Sequence, residues 1–202
     1  MTNHKSRMKS KKRIIVAITG ASGSVYAQRI VEKLTVLTDE IGEIAIIFSE
    51  TGKKVWDYEL GMDLPKSKLI REFASDSFFA PTASGSAGYD AMIIIPCTTG
   101  TMGRIANGTS NDLVARSADV MLKERNPLIL VLRESPYSLI HIDNMRTITL
   151  AGGIIFPASP SFYSKPTDII QLVDTVVDRV IGMIGFENKG YKWGEEGTTQ
   201  RH

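Results

Sequence analysis

Cysteine occurs once in the 202 residues, at position 97, and histidine three times. One cysteine excludes an internal disulfide and suits a reducing compartment. His4 and His202 stand in the tails, which leaves His141 alone in the body and no His/Cys cluster for a zinc site. No run of about 18 apolar residues exists, so no transmembrane helix is expected. The first 13 residues lack the apolar stretch of a signal peptide. They carry six basic residues (Lys5, Arg7, Lys9, Lys11, Lys12, Arg13) and no acidic one. Taking that +6 from the total of +2 leaves about −4 on the remainder. The positive charge is thus a solvated tail rather than a face, which argues against nucleic-acid binding. A soluble, cytoplasmic protein is expected, with neither membrane nor nucleic acid as partner.

What is present reads as one ordinary globular domain, 43% hydrophobic and 23% charged. The boundaries expected are a basic tail over 1–12, a domain over 13–186 and a polar tail over 187–202. Residues 13–18 (RIIVAI) and 43–48 (EIAIIF) are continuous apolar runs of the kind that form strands buried on both faces. Further strands are predicted at 91–95, 128–132 and 153–156. Helices are predicted at 25–37, through Trp56 to Leu60, at 113–124 with Asn111 or Asp112 as cap, at 138–150 and at 167–184. Residues 66–73 read as a short helix in a longer connection. The loop at 78–86 reads as irregular, with Phe78 and Phe79 serving as a lid, an interface anchor or a buried pin. Alternating β and α units predict a Rossmann-like, flavodoxin-like, doubly wound parallel sheet in three layers.

In such sheets ligands bind outside the carboxyl ends of the strands. Those ends are residues 19–23 (TGASG), Ser49, the Thr/Gly turn at 98–101 (TTGT), Arg133-Glu134 and residues 157–163. Hydroxyls, glycines and one fixed cation beside a carboxylate suit a phosphorylated, nucleotide-like ligand. The turn at 19–23 is neither GxGxxG nor a Walker loop, and serves equally as an anion site or a tight βα connection. Ser22 lacks the G-x-S-x-G elbow of a hydrolase. Cys97 is either a nucleophile or a small buried hydrophobe, and His141 reads as a hydrogen-bonded structural residue. Lys123, Glu124 and Arg125 read on their own as a solvated helix end.

Five ordered segments, TGASG at 19–23, PCTTGT at 96–101, RSADVMLKER at 116–125, RESPYSLIHIDNM at 133–145 and PASPSFY at 157–163, carry a resemblance. The chain resembles the flavin prenyltransferases of the UbiX type, long described as aromatic-acid carboxy-lyases, from residue 14 to about 193. The PASANT-type motif and the helix-one His of the related Cys-decarboxylases are absent. The resemblance implies transfer of a dimethylallyl group from dimethylallyl phosphate to N5 and C6 of reduced FMN, without a metal. The product would serve a UbiD-type decarboxylase. It implies that Gly20, Ala21, Ser22, Ser49, Thr98, Thr99, Gly100, Thr101 and Arg133 hold FMN. Arg116, Lys123, Tyr163 and Arg179 would hold the allylic phosphate, and Glu134 would be the acid/base group. Ser22 joins Glu134 at the catalytic centre, and Glu59 supports it. Phe78, where the family usually has Trp, and Trp193 would offer aromatic faces to the allyl group. A homo-oligomer, a dodecamer with sites at subunit contacts, is implied as well. The alternatives are an FMN-dependent decarboxylase or reductase on the same fold, and a non-catalytic flavin carrier.

Overall fold

The protein is described by a computed structural model, which places residues 10–187, 190 and 191. Six strands among these residues form one parallel sheet: β1 (Lys12–Ile18), β2 (Ile41–Phe48), β3 (Ile70–Phe73), β4 (Ala91–Cys97), β5 (Leu128–Leu132) and β6 (Ile154–Pro157). Their order is β3-β2-β1-β4-β5-β6, the doubly wound arrangement that the alternation predicts. The helices are α1 (Ser24–Thr35), α2 (Glu50–Glu59), α3 (Thr99–Ala106), α4 (Leu113–Lys123), α5 (Leu139–Leu150) and α6 (Ile169–Met183). None is long and apolar enough to cross a membrane.

The period of two along β1 decides which helix lies on which side. Ile14, Val16 and Ile18 pack against Ile30, Val31 and Leu34 of α1 and Val173, Val176 and Val180 of α6. Ile15 and Ala17 face Met102 and Ile105 of α3, Val114 and Met121 of α4, and Ile148 of α5. Every residue named in these two layers is at least nine-tenths buried. Each large aliphatic side chain so buried contributes roughly 1.5–3 kcal/mol of transfer free energy.

Two elements differ from the sequence-based expectation. Residues 66–73 hold no helix; Ile70–Phe73 is the edge strand, in parallel register with Ile44 to Ile47 of β2. Its apolar ends at i and i+3 mimic a helical face, and the free edge of β2 overrides that local pattern. The Thr/Gly turn after β4 is the start of α3, an eight-residue helix with two glycines. Met102 and Ile105, three apart and buried, hold it to the sheet despite poor propensity. The 78–86 loop contains two short 3-10 turns, Pro81–Ala83 and Gly85–Ala87. Asp112, not Asn111, caps α4.

α5 has six apolar residues among its twelve, yet buries only Ile148. Leu139, Ile140 and Leu150 are each more than two-thirds exposed.

Candidate active site

The strand order reverses between β1 and β4. The turns after these strands lead to helices on opposite faces and leave a crevice at the carboxyl edge. One buried side chain ties the two turns together. Thr19 Oγ1 donates to Pro96 O at 2.7 Å and accepts from Thr98 N at 2.9 Å. Thr19 opens the TGASG segment at 19–23, where the sequence alone assigns its side chain no role. A hydroxyl directly after a buried strand at the switch point is the signal for that role.

On the α1 side, the turn Gly20, Ala21, Ser22, Gly23 is held from two directions. A Cβ at Gly20 would lie 2.5 Å from Thr51 Cγ2, so only glycine lets the first turn of α2 approach. Gly23 begins α1 at φ 114° with no side-chain cap. The cap comes from α2. Glu59 accepts from Gly23 N at 3.0 Å and Ser24 N at 2.7 Å, with its charge at the positive end of α1. Burial pushes the Glu59 carboxyl up. The hydrogen bonds from Ser22, Ser24 and Gly23 outweigh that and hold it below the usual carboxylate range. Arg133, exposed at the end of β5, donates from Nε to Ser22 O at 3.0 Å.

Ser49 caps α2, accepting from Gly52 N at 3.0 Å, while its own amide donates to Ile18 O of β1. Thr98 caps α3 in the same way, accepting from Thr101 N at 3.0 Å. Thr99 Oγ1 donates to Glu134 Oε2 at 3.3 Å, and Glu134 Oε1 accepts from Ser135 N at 3.0 Å. Gly20, Ala21, Ser22, Ser49, Thr98 to Thr101, Arg133, Glu134 and Glu59 thus meet at one edge. The hydroxyls, the first-turn amides and Arg133 can grip an anionic, oxygen-rich ligand, and Glu134 can exchange a proton with it.

Tyr163 and Arg179 line a cleft of about 460 Å³ past the carboxyl end of β6 on the α6 face, with Ser161 and Thr175 on its wall. Ser161 N donates to Thr175 Oγ1 at 3.0 Å, and the Tyr163 ring stacks on Tyr191 with centroids 6.3 Å apart. Neither Thr175 nor Tyr191 carries a sequence signal; both are found by the cleft.

Lys123 is not brought to either place, and Arg116, in the first turn of α4, is engaged by other partners. They lie on α4, which runs back from the carboxyl edge on the opposite face of the sheet from α6. Arg116 donates to Ala83 O at 3.2 Å and pairs with Asp119 at 2.7 Å. Lys123 pairs with its neighbour Glu124, which sits against Gly85. Just beyond, Asn126 Nδ2 donates to Tyr89 O, ahead of the first residue of β4. Lys123 therefore stands at the amino edge of the sheet, about 16 Å from the start of its 11-residue helix. Phe78, 45% exposed, belongs to the segment that meets α4, where Leu113 N donates to Ser75 O. Trp193 lies outside the described residues.

Cys97 and His141 have structural places. Cys97 is fully buried, and burial pushes its thiol up to about 12 against the opposing pull of Arg104. His141 Nδ1 accepts from Ser138 N in a capping box at the start of α5. Among the described residues no group of three or more His, Cys, Asp or Glu is arranged to hold a metal ion.

The sequence profile of the Flavoprotein family matches residues 2–183. A protein of Methanocaldococcus jannaschii named flavin prenyltransferase UbiX is 41% identical over 185 residues, 90% of this chain and 98% of its own. Among solved structures, AnUbiX (PadA1) in complex with FMN and dimethylallyl pyrophosphate has a TM-score of 0.81 at 34% identity. That match covers 91% of this chain and 100% of the other. A dodecameric FMN-dependent UbiX-like decarboxylase from Escherichia coli O157:H7 also has a TM-score of 0.81, at 32% identity over 89% and 98% of the two chains.

Proposed function

The chain belongs to the UbiX-type flavin prenyltransferases of the flavoprotein family, and on that premise we propose that it transfers the dimethylallyl group of dimethylallyl phosphate to N5 and C6 of reduced FMN. One observation carries this reading: a carboxylate, Glu134, is fixed beside hydroxyls, first-turn amides and Arg133 in the crevice of the switch point.

The residues present fit FMN. A Cβ built at Gly100 would meet nothing nearer than Thr98 Oγ1 at 4.0 Å, so the backbone of the first turn of α3 is uncovered to an approaching ligand. In this reading Gly20, Ala21, Ser22, Ser49, Thr98 to Thr101 and Arg133 hold the flavin. Reduced FMN, when bound, supplies the nucleophilic nitrogen and ring carbon. Glu134 Oε2 would take the ring proton released on closure and, once protonated, could pass it to the departing phosphate. Glu59 keeps the 20–23 turn in place and Ser22 within it.

Tyr163, Arg179, Arg116 and Lys123 hold the allylic phosphate. Charge builds on that phosphate as its bond to the allyl carbon breaks, and fixed cations stabilise it without a metal. Phe78 and Trp193 offer π faces to the opposite charge on the allyl carbon. α4 carries Lys123 to the amino edge, and Arg116 in its first turn is engaged with Ala83 and Asp119; in this reading both serve the crevice of a neighbouring copy. A homo-oligomer follows, a dodecamer as in the Escherichia coli relative. The product passes to a UbiD-type decarboxylase.

The test is anaerobic incubation with reduced FMN and dimethylallyl phosphate, with mass spectrometry of the flavin. A flavin heavier by one prenyl unit is expected. Bound FMN of unchanged mass would sink the transferase reading in favour of a carrier. Loss of carbon dioxide from an added aromatic acid by this chain alone would favour a decarboxylase. Running dimethylallyl pyrophosphate in parallel sets the choice of donor.

A further inference from the structure

Beneath the turn of Thr98 to Thr101 runs a chain of hydrogen bonds that ends at the start of α4. Thr98 Oγ1 donates to Thr101 Oγ1 at 2.9 Å. Arg104 Nη2 donates to the same Thr101 oxygen at 3.3 Å and to Asp112 Oδ2 at 3.0 Å. Asp112 Oδ1 in turn accepts from Ala115 N at 2.7 Å and so caps α4. Arg104 Nε is buried with no partner among the described residues, so the anchoring of the guanidinium falls to Nη2.

A threonine hydroxyl has two lone pairs and one proton. At Thr101 one lone pair is taken by Thr98 and the other by Arg104. What remains is the proton. Arginine has no acceptor atom, so no motion of Arg104 can consume that proton, and Thr101 meets a ligand only as a donor. With 2% of the residue exposed, water competes little for it. Remove Arg104 and the hydroxyl regains a lone pair and the freedom to turn.

We propose that Arg104, held by Asp112, is a positioning residue for the flavin: it fixes Thr101 as an obligate donor to an acceptor oxygen of the bound flavin, on the ring, the ribityl chain or the phosphate. The inference rests on the flavin-binding reading above. It also joins two parts of the molecule assigned separate tasks there, since the anchor of Arg104 is the cap of the helix that carries Arg116 and Lys123.

The test measures FMN dissociation constants by fluorescence for the full-length wild type, Arg104→Met, Thr101→Val and the double variant. Each single change is expected to weaken FMN about five- to tenfold, the worth of one hydrogen bond. The double variant should bind no more weakly than Thr101→Val, because Arg104 acts through that hydroxyl. Riboflavin and lumiflavin locate the acceptor. A penalty lost with riboflavin assigns the phosphate, one lost only with lumiflavin the ribityl chain, and one kept in both the ring. Wild-type affinity in Arg104→Met, even with a lowered melting temperature, overturns the proposal, as does a double-variant loss equal to the product of the singles. Should Arg104→Met not fold, Asp112→Asn keeps the α4 cap and frees the guanidinium. It should weaken FMN about threefold, and no change there overturns the proposal. Failure of the wild type to bind FMN is a separate result, which removes the flavin reading itself.

Discussion

Glu134 has both carboxylate oxygens engaged, one by the Thr99 hydroxyl and one by the Ser135 amide, so its direction is set by the protein. Gln at this position keeps the shape and can no longer take a proton. Glu134→Gln is expected to leave FMN affinity unchanged and slow product formation by about 10²–10⁴-fold, read in an anaerobic single turnover. Equal turnover would remove Glu134 from its assigned role. Glu59 makes a different prediction. Its carboxyl is held below the ordinary 4.5, so on acidification the unfolded chain takes up the proton first. The stability it contributes is complete above 4.5 and lost as pH falls through the folded value. In Glu59→Gln the melting temperature should therefore fall less steeply between about pH 6 and pH 3 than in the wild type; parallel curves would show that the carboxylate does not support α1. Glu134 was legible as a carboxylate beside a fixed cation at a strand end. The contact of Glu59 was not, because the amides it caps lie 35 and 36 residues away and meet it only once α1 and α2 are packed.

Elements with a continuous apolar run, β1, β2, β4 and β5, were legible because a strand buried on both faces can be little else. β3 and α3 were not. β3 is four residues with a polar middle, specified by the edge it joins. α3 depends on a threonine cap and two buried side chains rather than on propensity. The pairing of α1 with α6 likewise lies beyond local pattern. Arg29 donates to both oxygens of Asp174 at 2.9 Å, and Lys33 reaches Asp174 and Asp178. Burial raises the Asp174 carboxyl, and the bonds from Arg29 and Lys33 outweigh it and bring it below its ordinary value. Asp174→Ala should cost about 1 kcal/mol in a denaturant titration, since the pairs are only partly shielded from water. No change in the midpoint would mean that the apolar contacts of α1 and α6 suffice.

On the scale of the whole molecule, sequence position sorted the site residues by strand end and left out where the helices carry theirs. Arg116 and Lys123 looked close to Glu134 because only 18 and 11 residues separate them from it in the chain. A helix that returns antiparallel to its strand takes Lys123, in its last turn, to the other edge and leaves Arg116, in its first, against Ala83; no periodicity reveals that without the sheet order. The same geometry gives a test of shared sites. Lys123→Ala and Arg179→Met should each abolish turnover alone. Co-expressed, they should recover about a quarter of the sites by random mixing, because some pairs of copies then supply one intact half each. No recovery would place both cations in one chain's site.

The direction of α4 has one more consequence. If the cation of each chain works only in a neighbour, an isolated chain is an incomplete catalyst, and the exposed apolar side of α5 offers it a reason to associate. Output then rises faster than the first power of protein concentration until association is complete. A cell that halves its supply of the chain below that point loses more than half of the product.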